Sequence, residues 1–211
     1  MSPILKKAIA VSFSVFVLCV AYYGSYLPMR KSVVFIDAMQ TTQSMKTIAD
    51  FETGFSIPLG YSSPIGQEEL VRSMANTVLS SLQRVSDPRG VQEMIRFVEQ
   101  QYAPIMERKR GMSFGQNLYL LGILNEYTFE RTEQPQYLEA SEKYFKEAVT
   151  LGPKRPQGLY GLLDVYRLKG DFAAAKAIAE QIVSQWPADT KTKDALNQII
   201  ASTTVSGAKK P

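Results

Sequence analysis

The sequence predicts an all-α protein, with an N-terminal membrane-spanning helix followed by stacked helical hairpins and a capping helix. Three observations predict it. Residues Ala8 to Leu27 form an uncharged run of twenty positions. Gln116-Asn117-Leu118-Tyr119-Leu120-Leu121 recurs 41 residues later as Gln157-Gly158-Leu159-Tyr160-Gly161-Leu162. Each copy is followed by a second match, Phe145 and Ala148 closing at Pro153, and Ala179 and Ile182 closing at Pro187, with the prolines 34 residues apart. No alternation of apolar and polar residues bounded by turn signals marks a strand.

A helix of twenty residues rises about 30 Å, enough to cross the hydrocarbon core. Tyr22, Tyr23 and Tyr26 cluster at its far end, where amphipathic rings favour the headgroup layer. Lys6 and Lys7 flank one side, Arg30 and Lys31 the other, and Pro28 is expected to end the helix because it cannot donate a ladder hydrogen bond. A cleavable export signal begins in the same way. No small-x-small site follows the run, so the helix is expected to be retained.

Beyond it, Val33, Val34, Ile36 and Met39 are expected to bury one face of a short helix. Ser44 is expected to cap the next, which carries Met45, Ile48, Phe51 and Phe55. Ser63-Pro64, with Glu68 and Glu69 behind it, reads as a helix start, and the helix continues through Leu70, Met74, Val78 and Leu82 to about Val85. Asp87-Pro88 opens another, carrying Val91, Met94, Ile95, Val98 and Tyr102, which Pro104 should kink or end. Arg108-Lys109-Arg110-Gly111 then forms a solvated turn.

Ser113 and Gln116 match a capping box, opening a long helix to about Phe129. Pro135 starts its partner, stopped by Gly152-Pro153. In the last hairpin Leu159, Leu162, Leu163 and Tyr166 face inward, and Gly170-Asp171 turns the chain. Phe172, Ala175, Ala179 and Ile182 face back, and Pro187 ends the second helix. Asp189 caps a final helix with Ala195, Leu196, Ile199 and Ile200, leaving a frayed tail. The domain reading is an anchor at 1–31, degenerate hairpins at 32–112, two repeats and a cap at 113–201, and a tail at 202–211.

Charge and composition narrow the function. The net charge is +4, from 24 Lys plus Arg and 20 Asp plus Glu. Lys6, Lys7, Arg30 and Lys31 account for the whole excess, since every acid lies after residue 31 beside the other twenty bases. The rest is neutral and carries no electrostatic footprint for nucleic acid. Histidine is absent and Cys19 is the one cysteine, so intramolecular disulfides and histidine-based ligation or catalysis are excluded. The carboxylates Asp37, Asp50, Glu52, Glu68 and Glu69 show no spacing that fixes a pair across a cleft. No phosphate-binding glycine loop or nucleophile motif is present. No catalytic residue, cofactor or metal is expected.

Pro156–Pro187 resembles a tetratricopeptide repeat, with Leu159, Leu162, Tyr166, Gly170, Phe172, Ala175 and Pro187 at the family's spacing. Leu163 stands where the family has glycine, and Ala179 where it has an aromatic. The preceding unit, Gly115–Pro153, keeps Leu121-Gly122, Phe145, Ala148 and Pro153, with about seven extra residues around Arg131–Pro135. The resemblance covers about 70 residues and implies a solenoid that binds a protein or peptide partner.

It also implies which side chains line the groove. These are Gln116, Tyr119, Ile123, Glu126 and Tyr127 on one helix, and Gln157, Tyr160, Asp164, Arg167 and Leu168 on the other. Helix packing is the competing role for Tyr119 and Tyr160.

A second stretch, through Leu27-Pro28-Met29-Arg30, Phe35-Ile36-Asp37-Ala38 and Pro64-Ile65-Gly66-Gln67-Glu68-Glu69, resembles the tail of bacterial O-antigen ligase-like membrane proteins. That resemblance implies a bacterial cell envelope, and as an alternative role an accessory or detached part of a glycan-transferring membrane system. The basic amino terminus resembles an export signal and implies repeats outside the cytoplasm. The expectation is a single-pass inner-membrane scaffold, held in the bilayer by residues 8–27, whose partner is itself membrane-associated.

Overall fold

The structure, a computed structural model, describes residues 2–42, 45, 47–82, 85, 87–111 and 113–207, the last six as backbone only. All its regular structure is helical, and the described residues contain no strand. In chain order the helices are α1 (Pro3–Ala21), a π-helical turn (Tyr22–Tyr26), α2 (Leu27–Thr41), α3 (Ile48–Gly60), α4 (Gln67–Leu82) and α5 (Pro88–Arg108). They continue with α6 (Phe114–Thr132), α7 (Pro135–Leu151), α8 (Pro156–Leu168), α9 (Phe172–Gln185) and α10 (Thr190–Gly207). The chain divides into two compact units, Met1–Val78 with Arg96–Pro104, and Leu79–Ile95 with Ile105–Pro211. The division falls inside α4 and α5.

In the first unit, Pro3–Thr41 is one helix of 39 residues, long and apolar enough to cross a membrane. Contrary to expectation, Pro28 does not end it. Leu27 N–H bonds the carbonyl of Tyr22, five residues back. This wider turn directly precedes Pro28 and displaces the carbonyl its ring would strike, so the ladder resumes after one lost bond.

The buried face of α2 also differs from expectation. Lys31, Phe35 and Ala38 are buried, whereas Val33 and Ile36 are 42% and 51% exposed. Phe35 meets Phe55 of α3 at 5.7 Å between ring centroids, and Phe51 meets Phe55 at 4.5 Å and Phe97 at 6.2 Å. These large rings outcompete the smaller β-branched side chains for the packed side.

The expected capping residue Ser44 lies outside the described residues. The described cap of α3 is Thr47, in a reciprocal capping box with Asp50, so Met45 precedes the helix. Ser63 does not cap α4 either. Its hydroxyl donates to the Ile65 carbonyl, Gly66 takes a φ of +91°, and the helix starts at Gln67 with Glu68 and Glu69 in its first turn. Its described residues run to Leu82, and the Val85 N–H still bonds the Ser81 carbonyl four residues back, in line with an end near Val85.

Asp87 caps α5 as expected, accepting from the N–H groups of Arg89 and Gly90. Val91, Met94, Ile95, Val98 and Tyr102 are all buried. Pro104 does not stop the helix, because the carbonyl it leaves unbonded, that of Gln100, belongs to an exposed residue that water can reach.

In the second unit each helix from α6 to α10 packs on the next, and α6 also packs on α8. The expected capping box at Ser113 is not made, as its side chain bonds no cap N–H. The extra residues of the first hairpin lengthen its helices instead of forming a loop. α6 and α7 have 19 and 17 residues against 13 and 14 in α8 and α9, and only Glu133 and Gln134 join them.

One core joins Leu138, Phe145, Leu162 and Val165, and a second joins Leu159, Leu163, Ala175, Ala179, Ile182 and Ile199. Each of the fully buried large side chains, Phe145, Leu159, Val165 and Ile182, contributes about 1.5–3 kcal/mol. Phe145 is wedged between two glycines: a Cβ at Gly122 or Gly161 would each lie 2.5 Å from its Cε1. Phe172 and Ile200, expected inside, are 41% and 42% exposed. Phe172 is the first residue after the Asp171 cap, before the helix has closed on its neighbours. The terminal helix continues to Gly207, well into the region expected to fray.

Candidate functional site

The candidate face is built by α6 and α8, and none of its ten expected side chains is buried. Gln116, Gln157, Tyr160, Asp164, Arg167 and Leu168 are exposed, while Tyr119, Ile123, Glu126 and Tyr127 are half-buried. The half-buried four all lie on α6. Tyr119 and Ile123 are partly committed to packing, for both border the Phe145 core, and the Tyr119 ring lies 6.0 Å from that of Phe145.

Three residues are brought together electrostatically. Burial pushes the Glu126 carboxyl up to about 7, with the negative charges of Asp164 and Glu130 adding to the shift. Partial desolvation raises Asp164 too, although half of its side chain is exposed, against the opposing pull of Arg167, whose Nη1 lies 3.5 Å from Oδ1. The Tyr119 phenol is raised by burial and then by Glu126 and Asp164. A tyrosine of α6 thus faces two carboxylates, one from each helix. A single Arg at the limit of hydrogen-bond distance does not cancel that local negative charge.

Tyr160 is not part of this group. Its hydroxyl donates to Asp189 Oδ2 at 2.7 Å. Asp189 also accepts from the Thr192 N–H at 3.1 Å and hydroxyl at 2.6 Å, so the tyrosine ties α8 to the cap of α10. The repeated Gln-x-Leu-Tyr-x-Leu therefore serves different ends in its two copies, core contact through Tyr119 and cap contact through Tyr160.

A second polar knot was not anticipated from the sequence. Glu142 of α7 accepts from Lys146, from Lys169 beyond the end of α8, and from the Tyr166 hydroxyl at 3.2 Å. Partial burial alone would raise this carboxyl, but the hydrogen bonds of the two ammonium groups hold it down at about 2. The Glu142–Lys146 pair has the i,i+4 spacing readable in any helix, whereas the Lys169 and Tyr166 contacts exist only once α7 and α8 are packed.

In the exposed Arg108-Lys109-Arg110 run, Arg108 ends α5 and Lys109 turns the chain in the left-handed region at φ 47°. Among the described residues, no three His, Cys, Asp or Glu side chains converge as metal ligands. Family profiles, curated proteins and solved structures gave no match to this chain.

Proposed function

We propose that this chain is a membrane-anchored scaffold of tetratricopeptide type, which docks a protein segment on the α6/α8 face. The carrying observation is the group of Tyr119, Glu126 and Asp164, an aromatic ring beside two carboxylates, flanked by half-buried Ile123 and Tyr127. The packing of α6 on α8, besides that of each helix on the next, supports reading α6–α9 as two successive hairpins of a repeat. The Gly170 turn at φ +70° and the buried Ala175 and Ala179 support it further, because small residues let the two helices approach.

Such a face suits a Lys or Arg side chain set in an apolar context. The cation would offset the repulsion between Glu126 and Asp164, and its stem would lie along Ile123 and Tyr119. Because Glu126 titrates near neutrality, docking of a cation would release a proton and strengthen as pH rises from 6 to 8. The setting proposed is a cell-envelope assembly with a membrane-associated partner.

The test is photo-crosslinking from an azidophenylalanine at Tyr127 or Leu168 in native membranes, with Lys143 and Lys176 as exposed control positions. The expected result is one product specific to Tyr127 and Leu168, lost in Glu126→Gln/Asp164→Asn. Products of equal yield from all four positions, or products insensitive to the carboxylates, would remove the α6/α8 face as the docking site.

A further inference from the structure

The geometry points to a second membrane contact: the α3–α4 connection, led by Ile57 and Ile65, seats in the lipid headgroup layer beside the anchor helix. This inference rests on Pro3–Thr41 being a membrane span. It adds that the first unit lies directly on the bilayer.

Helix direction gives the first part of the reasoning. From Phe35 to the end of α2 is six residues, and from the start of α3 to Phe55 is seven, so the Phe35–Phe55 contact requires α3 to run back along α2. Contacts of α4 place it parallel to α2. Lys31 Nζ donates to Gln67 Oε1 at the start of α4, and Thr77 donates to Met39 Sδ at 3.4 Å, ten residues further along α4 and eight along α2. The connection between α3 and α4 is thereby held at the membrane end of the unit.

Its height follows from helix rise. Lys31 is four residues past Leu27, about 6 Å at 1.5 Å per residue. A bilayer of about 40–45 Å with a core of about 30 Å has headgroup layers of about 5–8 Å. The Lys31–Gln67 contact therefore falls within that layer, and Ile65 precedes Gln67 by two residues. Ile57, two residues past the Phe55 that packs on Phe35, lies about 9 Å out, at the outer edge of the layer.

Composition is the independent second observation. From Thr53 to Gln67 the chain has fifteen residues and no charge. Within it Ile57 is 63% and Ile65 58% exposed, which costs free energy in water and gains it at a lipid boundary. The neighbouring Arg30 is also exposed, and suits the phosphates of anionic lipids. Tyr22, Tyr23 and Tyr26 lie just before it on the anchor, as an interfacial belt requires. A second protein copy would need a patch with defined edges; an uncharged turn at headgroup depth needs only lipid.

The experiment uses the full chain reconstituted in phosphatidylcholine–phosphatidylglycerol vesicles, in a Cys19→Ser background. Single cysteines at Ile57, Ile65, Gln40 and Val15 carry an environment-sensitive fluorophore, and doxyl-labelled phosphatidylcholine is the quencher. Gln40 is exposed and about 20 Å beyond Leu27 by helix rise. The expected result is several-fold stronger quenching at Ile57 and Ile65 than at Gln40, by shallow doxyl groups in preference to deep ones, with Val15 quenched by deep ones. Quenching at Val15 alone, with Ile57 and Ile65 no better than Gln40, overturns the second contact and leaves the span intact. Failure to quench Val15 overturns both.

Discussion

Gly161→Ala should destabilise this protein although it replaces glycine in the middle of a helix. The added Cβ would lie 2.5 Å from Cε1 and 2.6 Å from Cε2 of Phe145, against a favourable carbon–carbon separation of about 3.5–4.0 Å. Relief needs roughly 1 Å of movement. The ring cannot supply it, because Phe145 is fully buried with Gly122 closing its other side. Overpacking of this kind costs about 1–3 kcal/mol. Removing an interior glycine returns about 1 kcal/mol of helix propensity. The net loss expected is therefore up to about 2 kcal/mol.

Trp186, the one tryptophan, is half-buried against the core of the same unit and reports unfolding without a label. With an m value of about 1–3 kcal/mol per molar urea, the emission midpoint should fall by several tenths of a molar to about 1 M. In a Phe145→Leu background, where the ring is gone, Gly161→Ala should instead raise the midpoint by up to about 1 kcal/mol equivalent. A stabilising Gly161→Ala in the native background, or the same cost in both, would show that α8 is not held against the ring.

Glu126 has its carboxyl raised to about 7 from the ordinary 4.5, so the folded state holds its proton where the unfolded state has released it. Stability at this site is undiminished below pH 4.5 and falls as pH rises towards 7; Glu126→Gln should remove that decline and stabilise the protein at pH 8 by about 1–3 kcal/mol, read as a urea midpoint. Glu142 has the opposite sign. Held at about 2, it adds stability above pH 4.5 that is lost as pH falls towards 2, and Glu142→Gln should flatten that acid limb. Because Lys146 and Lys169 stay in contact with solvent, at 57% and 28% exposure, screening should hold the difference at pH 7 to within about 1 kcal/mol. Tyr160→Phe should leave the α6/α8 face intact yet speed amide exchange at Thr192, whose N–H bonds the Asp189 carboxylate that Tyr160 holds; unchanged exchange there would mean the cap orders itself.

Where local pattern and tertiary packing agree, the elements were readable in advance. Asp87-Pro88, Pro135 and Asp189 act locally, as caps or first-turn residues, and all three helices start there. Ala175, Ala179 and Ile182 are spaced as one helical face and are fully buried. Where structure and pattern part, nearby residues of similar propensity compete. Ser63 was one candidate start, but the positive φ of Gly66 delays the helix to Gln67. Val33 and Ile36 form as good an apolar face as Phe35 and Ala38, and only the ring contacts with α3 decide which is buried.

Pro28 does not end its helix and Pro104 lies within α5, because a proline's missing hydrogen bond is tolerable beside a π turn or an exposed carbonyl. The ten residues of the α6/α8 face were legible as surface positions. Their electrostatics were not. The raised Glu126 depends on Asp164, 38 positions away in sequence, and on a burial that no composition reveals.

On the proposed reading, anchoring would change how much affinity the α6/α8 face has to supply. A partner confined to the same membrane meets it at an effective concentration in the millimolar range, so avidity can exceed the intrinsic affinity by about 10²–10⁴. A shallow face of exposed and half-buried side chains, with Tyr119 and Ile123 already partly spent on the Phe145 core, fits that regime better than one built for nanomolar capture. The expected outcome is that a basic peptide binds vesicle-held protein weakly when free, and at least about a hundredfold more tightly when lipid-tethered to the same vesicle. Both forms should lose binding with Glu126→Gln/Asp164→Asn, since tethering multiplies a contact without replacing it. A tethered peptide indifferent to the two carboxylates would mean that the membrane alone recruits it and that α6 and α8 do not select it.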